Sequence, residues 1–197
     1  MLLHEKLADR QLILASASPR RRQLMEDAGL TFTLAPKFEC DESYPATLPA
    51  AEVAPFLSSL KSDAYPEKLG EGDILITADT TVVIDERVLG KPADRADAIE
   101  MLRAMSGRSH KVYTGVTLRS CEKKRTFAVE TLVYFREMSE EEIAYYVDNY
   151  RPYDKAGAYG IQEWIGYVAI ERIEGSFFNV MGLPVQRLYT ELSDLIG

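Results

Sequence analysis

Hydrophobic and polar positions change their spacing repeatedly along this chain, and each change marks an element. Leu12-Ile13-Leu14 is a short continuous apolar run, which reads as a buried strand. Ser18 and Pro19 follow as the N-cap and first position of a helix that Gly29 closes. A strand is predicted near Thr31–Leu34, then an acidic loop, Glu39-Cys-Asp-Glu-Ser-Tyr-Pro45, then a helix over Ala51–Ala64 with Phe56, Leu57, Leu60 and Ala64 at helical spacing. Asp73–Asp79 reads as an apolar strand ending on a carboxylate. Thr81–Asp85 and Arg87–Leu89 read as a hairpin leading to Gly90-Lys91-Pro92. Asp94 caps a helix to Ser106, with Ala98, Met101, Leu102 and Met105 on its apolar side and Gly107 as its stop. Lys111–Ser120 and Thr126–Glu137 form an antiparallel pair around the polar turn Cys121–Arg125, and Ser139-Glu-Glu-Glu142 is a capping box opening a helix through Tyr150. A small, glycine-rich segment covers Asp154–Gln162, a strand is predicted over Ile165–Ile173, and a terminal helix over Pro184–Ile196. Strands and helices alternating in this way predict an α/β layer fold, with parallel and antiparallel pairs in one twisted sheet flanked by helices.

The 197 residues suit a single domain spanning 1–197, large enough for two lobes. A composition of 46% hydrophobic and 27% charged residues is that of a globular protein with a packed core. The net charge of −8 argues against broad binding of DNA or RNA, which needs a basic face. No apolar run reaches the ~20 residues of a membrane span, and Met-Leu-Leu-His-Glu-Lys lacks a signal peptide's basic and apolar regions, so the cytoplasm is the expected location. Cys40 and Cys121 are far apart and read as free thiols. His4 and His110 are the only histidines, which excludes a histidine-rich metal site, and no G-x-S-x-G elbow is present.

Against this acidic background, Ser16-Ala-Ser-Pro-Arg-Arg-Arg22 places three arginines in the first turn of a helix, where the backbone is already partially positive. An anion would answer them: free N–H groups, the hydroxyls of Ser16 and Ser18, and the guanidiniums of Arg20 and Arg21 together suit a phosphate. The competing reading is a solvated basic turn, with some of the arginines structural because successive helical residues diverge by about 100°. Asp79 is the best candidate for the chemical step, a carboxylate at a strand end where α/β sheets bind ligands; the alternative is a turn-forming Asp. Thr80 beside it, Lys91 behind Gly90 and Lys61 late in its helix are its candidate partners. Asp41 and Glu42 offer oxygen ligands to a hard divalent cation, with Asp79 as a further ligand. In Asp154–Gln162 the small residues permit close approach of a flat base; Lys155 carries charge, and Gln162 offers both a donor and an acceptor.

Four stretches together carry a resemblance: Leu14-Ala-Ser-Ala-Ser-Pro-Arg-Arg21; Ala78-Asp-Thr80 with Lys91-Pro92; Ser106-Gly-Arg-Ser-His-Lys-Val-Tyr-Thr-Gly-Val116; and Asp154-Lys-Ala-Gly-Ala-Tyr-Gly-Ile-Gln162. In order and over nearly the whole chain, they are similar to the Maf family of nucleoside triphosphate pyrophosphatases. The resemblance implies a two-lobed α/β fold with a central cleft, as in ITP pyrophosphatases. It also implies a divalent cation, Mg²⁺ or Mn²⁺, and hydrolysis of a nucleoside triphosphate to monophosphate and pyrophosphate. It makes Asp79 the proton acceptor, ties Arg20, Thr80 and Gln162 to substrate choice, and assigns Lys61, Lys91 and Glu42 to polar and metal-associated positions. The form of the last motif resembles the dTTP and UTP branch, so the expected partner is a nucleoside triphosphate, with neither nucleic acid nor membrane, and a homodimer is left open. The alternatives are the same reaction on a modified purine triphosphate such as 7-methyl-GTP, and a nucleotide-binding regulator of septum formation.

Overall fold

The computed structural model describes residues 2–197. The helices are α1 (Leu3–Lys6), α2 (Pro19–Asp27), α3 (Ala50–Ala64), α4 (Arg95–Met105), α5 (Glu140–Tyr150), α6 (Trp164–Val168), α7 (Phe177–Met181) and α8 (Val185–Ile196). The strands are β1 (Gln11–Leu14), β2 (Phe32–Leu34), β3 (Asp73–Ile84), β4 (Arg87–Leu89), β5 (Ser109–Arg119), β6 (Lys124–Phe135) and β7 (Ile170–Glu174), and Ala156–Ala158 forms a single 3₁₀ turn. All seven strands join one sheet in the order β2-β1-β3-β5-β6-β7, with β4 also on β3. β1 pairs in parallel with β2 and β3, and every other pairing is antiparallel, as the alternation of elements implied.

The helix boundaries follow the local chemistry. The Ser18 hydroxyl accepts from the Arg21 N–H, the Asp94 carboxylate from the Asp97 N–H, and Ser139 and Glu142 form the reciprocal capping box.

Three expectations need correction. Asp73–Asp79 and Thr81–Asp85 are one continuous strand, so Asp79 lies in mid-strand; β5 pairs with β3 from Leu75 to Val83 and keeps it extended. The predicted strand Ile165–Ile173 divides into helix α6 and strand β7, because Gly166 packs onto the Ile161 carbonyl, where an added Cβ would lie 1.7 Å away, and a short apolar run suits either state. The inward face of α3 is Val53, Ala54, Leu57, Ser58 and Ser62, whereas Phe56 is 37% exposed. Small side chains line that face because α3 lies directly on β5: a Cβ on Gly115 would stand 2.3 Å from the Pro55 nitrogen.

Two main cores divide the molecule. One collects Leu12, Leu14, Leu24, Met25, Ile74, Ile76, Ala78 and the α8 leucines; the other collects Val82, Ile84, Leu102, Met105, Ile143, Tyr146 and Ile165. The boundary falls on β3 between Ala78 and Val82. There β3 also loses a neighbour, since its pairing with β1 ends at Leu14↔Ile76 and its pairing with β4 begins at Val82↔Leu89. From Thr77 to Thr81 one edge of β3 is therefore open, walled by the start of α2 on one side and by β4 and the Gly90-Lys91 loop on the other. Two lobes with a gap between them are what the resemblance implied.

Candidate active site

Strand geometry places consecutive residues on opposite faces of a sheet, and the open stretch of β3 uses both. Thr77 and Asp79 face α3: the Thr77 hydroxyl donates to the Ser58 carbonyl at 2.7 Å, and Asp79 Oδ1 accepts from Lys61 Nζ at 2.5 Å. The same ammonium pairs with Glu42 Oε2 at 3.0 Å, bringing the acidic loop to the strand. The side chains of Lys61 and Asp79 are 17% and 13% exposed, so the pair is largely screened from water yet open to the gap, while Glu42 stands further out.

Thr80 faces the other way, toward α2 and α7. Arg21 Nη2 donates to its hydroxyl at 3.0 Å, Nη1 donates to Ser16 Oγ at 3.2 Å, and Nε donates to the Gly182 carbonyl at 2.7 Å. Burial pushes the Arg21 guanidinium down from its ordinary value, opposed by the Asp79 charge, and no carboxylate among the described residues pairs with it directly. Of the three arginines, Arg21 thus turns into the protein. Arg20 reaches across the gap to Asp154 Oδ2 at 3.4 Å, and Arg22 is exposed.

The opposite wall is the segment Asp154–Glu163. The Gly157 N–H donates to the Gly90 carbonyl at 3.1 Å, tying this segment to the loop that carries Lys91, which is exposed. Gly157 has φ +67°, and a Cβ there would meet the Val82 side chain at 2.9 Å, so only glycine lets the segment lie on β3. Lys155 is buried, with Nζ 2.7 Å from Asp154 and 3.1 Å from Glu163. Glu163 in turn accepts from the Tyr146 hydroxyl, which itself accepts from the Gly160 N–H at 3.0 Å. Burial and then the Glu163 bond push the Tyr146 phenol up, keeping it a donor. At Asp154 burial raises the carboxyl, but Lys155 and Arg20 outweigh it and the net shift is down. Gln162 lies within this clamp, and its Oε1 is buried without a partner.

The gap therefore gathers Asp79, Lys61, Glu42, Thr80, Ser16, Arg20 and Arg21, with Lys155 and Gln162 across from them. Ser18 serves as the helix cap, and Asp41 lies exposed in the acidic loop, its carboxylate accepting from the Ser43 N–H at 3.1 Å. Sequence reasoning missed Asp154, Glu163 and Tyr146 as a clamp, and Thr114, Asn179 and Gly182 behind Thr80. Only Asp154 carried a signal, as the acid of a polar pair opening a glycine-rich segment. His110, the sole histidine of a central strand, lies in the core between Phe135 and Tyr159. The described residues contain no cluster of three or more His, Cys, Asp or Glu able to hold a metal.

Chemically, the gap offers a largely buried carboxylate, an ammonium beside it and the Arg20 guanidinium at a helix start, next to a segment whose Gln162 holds a buried, unpartnered amide oxygen. That set suits a polyanion attached to a hydrogen-bonding ring. The comparisons with known proteins agree in extent and character. The chain is 53% identical over 185 residues to the dTTP/UTP pyrophosphatase of Bacteroides thetaiotaomicron, covering 94% of this chain and 96% of that one. It is 49% identical over 192 residues to that of Porphyromonas gingivalis, covering 96% of each. It is 44% identical over 195 residues to that of Flavobacterium johnsoniae, covering 99% of this chain and all of that one. Among solved structures, a nucleoside-triphosphatase (dITP/XTP pyrophosphatase) from Mycobacterium abscessus aligns over 94% of this chain and 98% of its own at 14% identity and a TM-score of 0.44, too low to carry weight. The family model described as Maf-like protein matches residues 11–195, a span holding both walls of the gap and every side chain that faces it, and the chain belongs to that family.

Proposed function

We propose that this protein hydrolyses nucleoside triphosphates, dTTP and UTP foremost, at the α–β phosphoanhydride to give monophosphate and pyrophosphate. The observation that carries the reading is the placement of Asp79, held by Lys61, in an open stretch of β3 opposite the arginine-rich start of α2. Asp79 takes a proton from water as its oxygen bonds to the α-phosphorus. The bond from that phosphorus to the bridging oxygen breaks, and the oxygen leaves with pyrophosphate. Lys61 holds the Asp79 carboxylate in position. Arg20, Lys91 and the N–H groups at the start of α2 neutralise the phosphates, with Ser16, Ser18, Arg21 and Lys155 completing the polar surround. Gln162 reads the base: an unpartnered amide oxygen beside its own donor matches the adjacent acceptor and donor of uracil or thymine.

A divalent cation fits this set. Glu42 and Asp79 converge on one ammonium, at 3.0 and 2.5 Å, and two carboxylates plus substrate phosphates are a usual set for Mg²⁺ or Mn²⁺. Glu42 and Asp79 would hold it, and it would supply charge neutralisation at the phosphates. No helix of the described residues is long and apolar enough to cross a membrane, and a cytoplasmic role in clearing nucleotide pools belongs to the same proposal.

The test is a panel of pyrimidine and purine triphosphates, 7-methyl-GTP included, incubated with Mg²⁺ or Mn²⁺, with pyrophosphate and orthophosphate measured separately. Pyrophosphate from dTTP and UTP is expected. Orthophosphate with a nucleoside diphosphate would mean attack at the γ-phosphorus and would overturn the reading, while hydrolysis of 7-methyl-GTP alone would overturn the pyrimidine preference.

A further inference from the structure

Behind Thr80 lies a relay of hydroxyls whose direction can be deduced by counting protons. The Thr114 hydroxyl is 2.9 Å from the Asn179 main-chain carbonyl, and because a carbonyl can only accept, Thr114 spends its single proton there. Thr114 also lies 2.9 Å from the Thr80 hydroxyl, so in that contact Thr80 is the donor. Arg21 Nη2, which can only donate, takes one lone pair of the Thr80 oxygen at 3.0 Å. The one rival acceptor for the Thr80 proton, the Gly182 carbonyl, is more distant at 3.4 Å and already accepts from Arg21 Nε at 2.7 Å. If the Thr80 proton turned there, either Thr114 and Thr80 would meet oxygen to oxygen without a proton or the Asn179 carbonyl would give up one of its two bonds and keep only the Gly182 N–H at 3.0 Å. Thr80 thus has its proton and one lone pair committed inside the protein, which leaves a single lone pair on a residue that is itself half-buried.

The far end of the relay is rigid. Thr114 is fully buried on β5 directly opposite Thr80, and Asn179 is fully buried, with its amide nitrogen within 3.1 Å of Val112 O, Val129 O and Thr131 Oγ1. The carbonyl that fixes the polarity is therefore itself pinned to β5 and β6.

We infer that Thr80 is an obligate hydrogen-bond acceptor toward the ligand and reads an N–H or O–H of the nucleoside, never a phosphate oxygen, with Thr114 and Asn179 as the positioning residues that set this polarity. Phosphate oxygens, like O2 and O4 of uracil, are acceptors and cannot bond to a lone pair. The donors on dTTP and UTP are the ring N3–H, which Gln162 already engages as the base reader and Thr80 would have to share, and the sugar hydroxyls. The inference deepens the pyrimidine triphosphate reading and rests on it.

The experiment compares kcat and KM for UTP against CTP, which lacks the ring N–H, and for dTTP against 2′,3′-dideoxythymidine triphosphate, which lacks the sugar hydroxyls. Thr80→Val should lower kcat/KM for dTTP and UTP about 5- to 100-fold, mostly through KM, and should leave nearly unchanged the substrate missing the donor that Thr80 reads. Thr114→Val, isosteric but without a hydroxyl, frees the Thr80 proton and should shrink that same substrate ratio toward one, and Thr114→Ser should restore it. Equal loss on all four substrates with Thr80→Val would place a phosphate at Thr80 and overturn the inference. So would a wild-type ratio in folded Thr114→Val, or no effect of Thr80→Val on any substrate. If Thr114→Val does not fold, the Thr80→Val comparison decides alone. A wild-type enzyme that hydrolyses neither dTTP nor UTP would instead be a failure of the underlying reading.

Discussion

His110 predicts how this fold fails in acid. Its ring is buried between Phe135 and Tyr159, with Nε2 2.7 Å from the Tyr159 hydroxyl, Nδ1 without a partner and no carboxylate beside it. Burial alone lowers its pKa from 6.5 to about 3. A histidine depressed in the native state contributes stability above the unfolded value and loses it as the pH falls, because the unfolded chain takes up a proton that the native one refuses. The window therefore opens at about pH 6.5 and closes near 3. Each unit within it corresponds to about 1.4 kcal/mol, so by pH 4.5 the loss is about 3 kcal/mol, a large part of the 5–15 kcal/mol that holds a typical domain together. Urea unfolding of the wild type and of His110→Gln at pH 7.5, 6.5, 5.5 and 4.5 isolates this group, since every other carboxylate and histidine titrates in both proteins and the amide can still meet Tyr159. The wild type should lose stability more steeply below pH 6.5. Parallel curves for the two proteins would refute the reasoning.

Asp79→Asn keeps the size of the side chain but removes its basicity, and kcat should fall about 10²–10⁴-fold, the range for a general base; more than a third of wild-type activity remaining would contradict the role. Gln162→Ala should compress the UTP to CTP ratio of kcat/KM by an amount equivalent to about 1–3 kcal/mol, with the metal requirement unchanged, and an unaltered ratio would assign base reading elsewhere. Gly115→Ala forces a Cβ to within 2.4 Å of the α3 backbone at Ala54 and Pro55, so the helix must shift. Thermal denaturation should show a loss of about 1–3 kcal/mol or more, and activity should fall further than stability because α3 carries Lys61; an undisturbed melting curve would refute the contact.

The parts of the fold legible in the sequence are those that short-range chemistry decides. Ser18, Asp94 and Ser139 announce their helices because a cap is a local bond between a side chain and an N–H three residues on. The position of Asp79 was misread as a strand end because the strand's continuation depends on pairing with β5, some 35 residues distant in sequence, and not on any residue beside it. The face of α3 was legible only in part: Leu57 of the apolar set is buried, but a helix pressed onto a glycine also turns Ala54, Ser58 and Ser62 inward and leaves Phe56 exposed. Arg20 and Arg21 look equivalent in sequence, yet the step of about 100° between consecutive helical residues sends Arg20 across the gap and Arg21 into the protein. Thr114 reads as ordinary β-branched strand filling, and nothing local distinguishes it from Thr117 three residues further along the same strand.

The pairing of β3 with β5 sets two adjacent polar residues on opposite faces of the sheet. Asp79 lies opposite Gly115 and Thr80 opposite Thr114. The missing side chain at Gly115 lets α3 come close enough for Lys61 to reach Asp79, while the hydroxyl of Thr114 on the other face fixes the direction of the Thr80 proton. Side chains alternate with a period of two, so a slip of one residue in this register would put Thr80 against α3 and Asp79 against the Arg21 guanidinium. Val82 and Val83 resist the slip, since Val82 belongs to the large core of one lobe and Val83 packs with Ala50, Ala54 and Tyr113 under α3. The hydrophobic pattern beyond the gap is thus what holds the two polar residues inside it to their separate faces, Asp79 beside Lys61 and Thr80 beside Arg21.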